Sequence, residues 1–264
     1  LRATLKEAMS PGDQRPPASH GSEAALDGML LAAALEEIVE ACQGARVERV
    51  YQPRGDTLVL ALYHPARGER RVLIRCHATF GRLQLTEVSL ANPSRPPDFC
   101  MLLRKHLEGR RLLAAEQQGL DRIAYLVFGR AADRTDSAAA GDGDRRRLVI
   151  ELTGPRANAI LTDSQGQMLG SLRRLSARAR PSGSSGERYE PPAPTDKLDP
   201  LTLTEQALAE RLGQVPGDRP VWRALLTCLE GPGPVACREL AWRAGIDPDL
   251  PWAEAAVDRR RLLL

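Results

Sequence analysis

Several features are scarce in this chain of 264 residues, and each scarcity removes a class of function. Aromatic side chains make up only 4% of it, too few for the stacking platforms that hold single-stranded bases. Cysteines stand at 42, 76, 100, 228 and 237, with no Cys-x-x-Cys among them. An odd number without ligand spacing argues against a zinc site or a disulfide framework and fits a reducing, cytoplasmic setting. The four histidines, His20, His64, His77 and His106, are scattered, and no partner in the sequence marks any of them as a base. The chain has no Gly-x-x-x-x-Gly-Lys-Ser/Thr, no His-Glu-x-x-His and no Gly-x-Ser-x-Gly, so neither a cofactor nor a catalytic site is implied. No apolar run approaches the ~18 residues of a membrane span. The first 25 residues also lack the apolar block of a secretory signal. The chain opens on Leu1 rather than Met, as a piece of a longer protein does.

Charge is plentiful but unevenly placed. The net charge is +3, with 37 basic and 34 acidic side chains. Residues 1–98 balance, residues 99–190 carry the excess of positive charge, and residues 191–264 are slightly acidic. Lys6, Lys105 and Lys197 are the only lysines, so arginine dominates. Alanine, glycine and proline are also abundant, and a GC-rich genome accounts for the arginines by composition alone. A phosphate-facing middle third is the sharper alternative, because guanidinium forks match phosphate oxygens.

Periodicity divides the chain. Residues 1–21 read as a disordered leader. A helix is expected from about Asp27 to Gln43, from the spacing of Met29, Leu30, Ala33, Ala34, Ile38 and Cys42. Strands are expected at 46–51, 57–63, 71–77 and 83–87, then a helix over 98–108 opened by Pro96-Pro97 and closed by Gly109. A second strand set follows at 111–117, 122–128, 147–152, 157–162 and 168–175, with a long hairpin loop over 130–146. The resulting units are a sheet-rich domain over 22–180, a Pro/Gly/Ser linker over 181–200 and a helical domain over 201–250. The helical domain has helices at 204–212, 219–229 and 235–244. Residues 251–264 read as the start of a coiled coil cut in mid-course.

Five segments stand out, each with a plain structural reading beside a functional one. Asp27-Gly28 opens the first helix, where an acid complements the helix dipole. The run Phe99-Cys-Met-Leu-Leu-Arg-Lys-His-Leu-Glu-Gly109 is an amphipathic helix whose Arg104 and Lys105 face either solvent or a phosphate backbone. Asp121-Arg122 is a strand-edge charge pair unless something else engages it. Glu151-Leu152-Thr153-Gly154 with Asn158 reads as a hairpin. Glu230-Gly231-Pro232-Gly233 joins two helices as a plain turn, or as a helix-hairpin-helix whose amides cradle a nucleic-acid phosphate.

Taken in order, these segments resemble one family. Besides the five, Gln52-Pro53, Asn158-Ala-Ile-Leu161, Tyr189 with Pro191-Pro192, and Lys197-x-Asp199-Pro200 fall in the same sequence as in the N-terminal region of the RqcH/NFACT family, whose members have been called fibronectin-binding protein A. The resemblance covers about residues 22–250 and implies an α+β fold. Its first part would be a β-sandwich with flanking helices, like the N-terminal domain of formamidopyrimidine-DNA glycosylases. A small all-α helix-hairpin-helix-like domain would follow.

The resemblance also implies a non-enzymatic, cytoplasmic adaptor in ribosome-associated quality control. Its partners would be the large ribosomal subunit with nascent peptidyl-tRNA, ribosomal RNA and alanine tRNA, with no membrane. The ribosome itself would perform the peptide transfer of alanine tailing. The family's tRNA-recruiting Asp-Arg pair falls on Asp121-Arg122, its first-helix aspartate on Asp27, and its Glu-Ile-Met motif on Glu151-Leu152-Thr153. That last segment departs from the family: the methionine is replaced, and Gly154-Pro155-Arg156-Ala157-Asn158 stands where Gly-Arg-His-Ser-Asn is usual. Expected RNA-backbone contacts are Arg104, Lys105, Arg173, Arg174, Gly231 and Gly233.

Three other functions compete. A DNA glycosylase needs an N-terminal proline amine beside a glutamate, and no Pro-Glu pair occurs. A fibronectin-binding adhesin needs a route to the cell surface. A homologue that binds ribosomes without selecting a tRNA is compatible with the altered Thr153–Ala157 segment.

Overall fold

The computed structural model describes residues 26–130, 144–173, 186–193 and 195–255. The expected leader, nearly all of the expected 130–146 loop, Arg174, and residues 256–264 of the expected coiled-coil start lie outside the described residues.

Helix α1 (Gly28–Cys42) starts where expected, because Asp27 caps it: its Oδ1 accepts the Leu30 amide at 2.9 Å. Four strands follow: β1 (Arg46–Arg54), β3 (Gly68–Arg75) and β4 (Arg82–Leu85) bury part of their length, and β2 (Thr57–His64) is a continuous run buried on both faces over 57–62. Helix α2 (Asp98–Leu107) follows Pro97, with Asp98 in its first turn and Arg104, Lys105 and His106 in its last, the charge order its dipole favours. Next come β5 (Arg111–Gln117), β6 (Ile123–Gly129), β7 (Arg146–Glu151), β8 (Asn158–Thr162) and β9 (Met168–Ser171).

All nine strands belong to one antiparallel sheet in the order β4-β3-β2-β1-β5-β6-β7-β8-β9. Hydrogen bonding is therefore continuous, where a sandwich of two sheets was expected. The reason lies at the seam between β1 and β5, which pair only at Arg46 and Arg111 before they diverge. Past that point helix α2 satisfies the open edge of β1. The Val50 amide donates to Glu108 Oε1 at 3.1 Å, and Arg104 Nε donates to the Val50 carbonyl at 2.9 Å. Strands from both halves of the sheet and both helices fill one apolar core, with Leu31, Ile38, Leu60, Ile74, Leu103, Phe128 and Ile150 among its members.

Ile123, Val149, Ile160 and Met168 form a smaller core, against which Tyr125 and Tyr189 pack. Tyr189 reaches it because residues 186–189 return to the sheet: Gln167 bridges Arg188, and the Met168 amide donates to the Glu187 carbonyl at 2.8 Å.

The helical unit comprises α3 (Glu205–Gly213), α4 (Val221–Cys228) and α5 (Pro234–Arg243) around Leu212, Leu225, Cys228 and Ala241. Both of its ends reach further than expected. Leu198 bridges Leu229 in parallel, and Lys197 Nζ donates to the Leu226 carbonyl at 2.7 Å, so residues expected in the linker fold onto α4. At the other end Pro251 bridges Pro220, and Trp252 and Ala255 are buried in the same core. Residues 251–255 therefore close this unit rather than begin a coiled coil. No helix of the described residues is long and apolar enough to cross a membrane.

Candidate functional site

A cleft of about 490 Å³ opens where the start of α1, the β5–β6 turn and the α4–α5 hairpin meet. The first contact across it is set by Asp27. The same carboxylate that caps α1 accepts the Gly233 amide at 2.8 Å through Oδ2, so one aspartate serves the entrances of α1 and α5 together. Beside it the Gly28 amide donates to the Gly231 carbonyl at 2.9 Å. The approach is so close that a Cβ on Gly28 would sit 1.7 Å from the Leu120 carbonyl oxygen. Only glycine fits there.

Asp121 and Arg122 project from the β5–β6 turn into this cleft. The turn is fixed from the sheet side by Gln117, whose Nε2 donates to the carbonyls of both Asp121 and Gly28 at 2.8 Å. Asp121 Oδ1 accepts the Arg122 amide at 2.7 Å. The Arg122 guanidinium has no hydrogen bond or salt bridge among the described residues. Adjacent positions thus have different roles: Asp121 shapes the turn, and Arg122 keeps its donors free.

Lys197 and Glu230 complete the charged lining. Glu230 is half-buried. Its carboxyl is pushed above the usual range by burial and then by the nearby charges of Asp121 and Asp199. Three carboxylates and two cations make this a mixed lining, not a phosphate trough. Such a set can read donor edges with its carboxylates while one arginine holds an anion. Among the described residues no group of three His, Cys, Asp or Glu side chains is placed to hold a metal ion.

The structure thus brings Asp27, Asp121, Arg122, Gly231 and Gly233 to one place and sends the other expected residues elsewhere. Glu151 is buried behind the turn, where it accepts the Tyr189 hydroxyl at 2.7 Å. The Tyr125 hydroxyl donates to Gln118 Oε1 at 2.6 Å. Arg104 is turned inward to Val50 and Glu108, which corrects its expected contact with an RNA backbone. Arg173 Nη2 donates to the Cys76 carbonyl at 2.8 Å and ties the end of β9 to the end of β3, while the residue itself stays exposed. The Gly233 amide, expected to face a phosphate, is taken by Asp27, and the Gly231 carbonyl by Gly28. Of the described basic set, Lys105 and Arg173 are exposed and Arg104 is half-buried, and Lys105 has no hydrogen bond or salt bridge among the described residues. It lies in a basic corner where burial, then Arg146, Lys105 and Arg110, push His106 below the usual histidine range.

Gln117 and Glu230 were not among the expected site residues. Gln117 reads as the polar end of a strand. Glu230 lies in a noted hairpin, but its partners come from a turn about 110 positions away.

The comparisons with known proteins place the chain in a family. The family model for the NFACT N-terminal and middle domains matches residues 27–263. The Rqc2 homolog RqcH of Bacillus subtilis is 31% identical over 227 residues, covering 83% of this chain and 38% of that protein. The human ribosome quality control complex subunit NEMF is 35% identical over 146 residues, or 54% of this chain and 12% of that one. The chain therefore spans less than two-fifths of the length of these curated relatives. Among solved structures, the N-terminal domain of the fibronectin-binding protein PavA from Streptococcus pneumoniae superposes with a TM-score of 0.70 at 28% identity, covering 83% of each chain. The N-terminal part of the fibronectin/fibrinogen-binding protein from Streptococcus suis gives 0.71 at 25% identity, covering 90% of this chain and 83% of that one. With a family model matched from Asp27 onward over nearly its whole length, the chain belongs to the RqcH/NFACT family and carries that family's N-terminal and middle domains.

Proposed function

We propose that this chain is the tRNA-binding part of a non-enzymatic adaptor in ribosome-associated quality control. In this reading it associates with the large ribosomal subunit that carries peptidyl-tRNA. It recruits alanyl-tRNA, and the ribosome transfers the alanine. The names of the relatives, Rqc2 homolog and ribosome quality control complex subunit, support the pathway. One structural observation carries the site: Arg122 presents a guanidinium without a partner among the described residues, beside Asp121, at a cleft lined by both units. Asp121 Oδ2 is left to accept from a base edge, and Arg122 to meet a phosphate. Lys105 and its basic corner add backbone contacts outside the cleft. The α4–α5 hairpin plays the helix-hairpin-helix part as a wall of the cleft rather than as a phosphate cradle.

The test is recovery of RNA. The chain, expressed in a bacterial host and isolated with its bound particles, should bring down large ribosomal subunits and a tRNA pool enriched in alanine tRNA. That enrichment should fall when Asp121 and Arg122 are both replaced by alanine. Ribosomes without any selected tRNA would contradict the recruiting role and favour a homologue that has lost selection.

Fibronectin binding is the second reading, because the solved relatives carry it in their names. Saturable, sub-micromolar binding of purified fibronectin, unaffected by the Asp121, Arg122 double substitution, would establish it.

A further inference from the structure

We propose that Glu230, on the helical unit, is a positioning residue for the Asp121–Arg122 turn of the sheet unit, so that the pair is presented correctly only when the two units are docked. This rests on the reading that the pair contacts tRNA, and the test below separates the two claims.

The carboxylate of Glu230 lies over Gly119, two residues before Asp121. Both of its oxygens are 3.3 Å from the point where a Gly119 side chain would begin, and Gly119 itself has φ +54. The Leu120 backbone N–H is near enough to the same carboxylate to favour its charged form. The next residue continues the grip: a Cβ on Gly231 would meet the Leu120 Cβ at 2.8 Å. Glu230–Gly231 therefore holds Gly119–Leu120 from one side while Gln117 holds Asp121 from the other. Glu230 is itself fixed to its own unit, its amide donating to the Leu198 carbonyl at 2.9 Å.

What this arrangement needs from Glu230 is reach. An oxygen must lie beside Gly119 and Leu120, and a glutamine side chain also carries an acceptor oxygen at that reach. Burial and the repulsion of Asp121 and Asp199 mean that the negative charge is tolerated there, not required.

Two conservative variants separate reach from charge. Glu230→Gln keeps the reach and loses the charge; Glu230→Asp keeps the charge and draws the oxygens back by one methylene. In the whole chain, amide hydrogen exchange is read over residues 118–123, with strand 124–129 as internal control. Affinity for purified alanine tRNA is read by fluorescence anisotropy. The expected result is that exchange over 118–123 in Glu230→Gln is no faster than in the parent. Glu230→Asp should speed exchange at Leu120 and Arg122 and weaken tRNA binding, each by about ten-fold, the scale of one lost hydrogen bond. Exchange that is unchanged in the Asp variant, or raised in the Gln variant, overturns the positioning role. Exchange raised in the Asp variant alone with unchanged tRNA affinity upholds the positioning role and overturns the tRNA reading of the turn.

Discussion

The Asp27 carboxylate accepts the Gly233 amide at 2.8 Å although 206 positions separate them in the chain. Its other oxygen caps α1 through Leu30. An acid that reads locally as a helix cap is thus also the polar joint between the sheet and the helical unit. Replacing it with alanine leaves two helix-entrance amides without their acceptors. Each such loss costs about 1 kcal/mol or somewhat more. Asp27→Ala should therefore lower stability by about 2–3 kcal/mol in urea unfolding.

Gly28 tests how tightly the units are fitted. A Cβ there meets the Leu120 carbonyl oxygen at 1.7 Å and the Gly231 Cα at 2.9 Å, both backbone atoms that cannot turn aside. Gly28→Ala should cost about 3 kcal/mol through forced separation of the units. Gly213, at the end of α3, has nothing within 4 Å of its Cβ position. Gly213→Ala should be neutral or stabilising by up to ~1 kcal/mol. Equal effects of the two substitutions on the melting temperature would contradict the close approach.

The secondary structure was largely legible in the sequence because each element carries its own period. β5 (Arg111–Gln117) has its expected bounds, and α1, β2 and α4 begin or end within two residues of theirs or on them. What sequence could not supply was contact between distant elements. Arg104 looks like a cation on a helix surface; only the divergence of β1 from β5 creates the bare Val50 carbonyl that draws it inward. Leu198 sits in a Pro-rich stretch and reads as linker until its partner Leu229 is seen. The Asp121–Arg122 pair was identified by resemblance, and its local pattern alone favoured a surface ion pair. Its cleft depends on Gln117 and Glu230, whose roles have no local signature.

Glu230 also gives stability a pH dependence with a definite sign. Its carboxyl is raised above the usual range, so the folded chain holds that proton more tightly than the unfolded chain does. Its contribution is most favourable at acid pH and is lost as pH rises through the raised folded value. Asp56, Asp144 and Asp249 are held low and act in the opposite direction, but they are common to parent and variant and cancel in the difference. Glu230→Gln should therefore be more stable than the parent at neutral pH, with the gap closing toward about pH 4. A gap that widens on acidification would contradict the assignment.

The cysteines should be silent in the native chain. All five are buried and free. Burial pushes the Cys42 thiol up to about 11 and those of Cys76 and Cys237 to about 12, so thiolate is scarce at neutral pH. A thiol reagent at neutral pH should find no fast-reacting group before denaturant is added and all five afterwards. A rapid native reaction would mean that one of these cores opens readily.

The measurement that tests the central claim most directly is the affinity of this chain for alanine tRNA, parent against Asp121→Ala, Arg122→Ala, across a salt series. The parent should bind with an affinity that falls steeply as salt rises, by roughly 0.7–0.9 in log–log slope for each phosphate contact. The double variant should bind at least about ten-fold more weakly, with a slope lowered by about one contact. Equal affinity and equal slope for the two proteins would contradict the assignment of the cleft to tRNA.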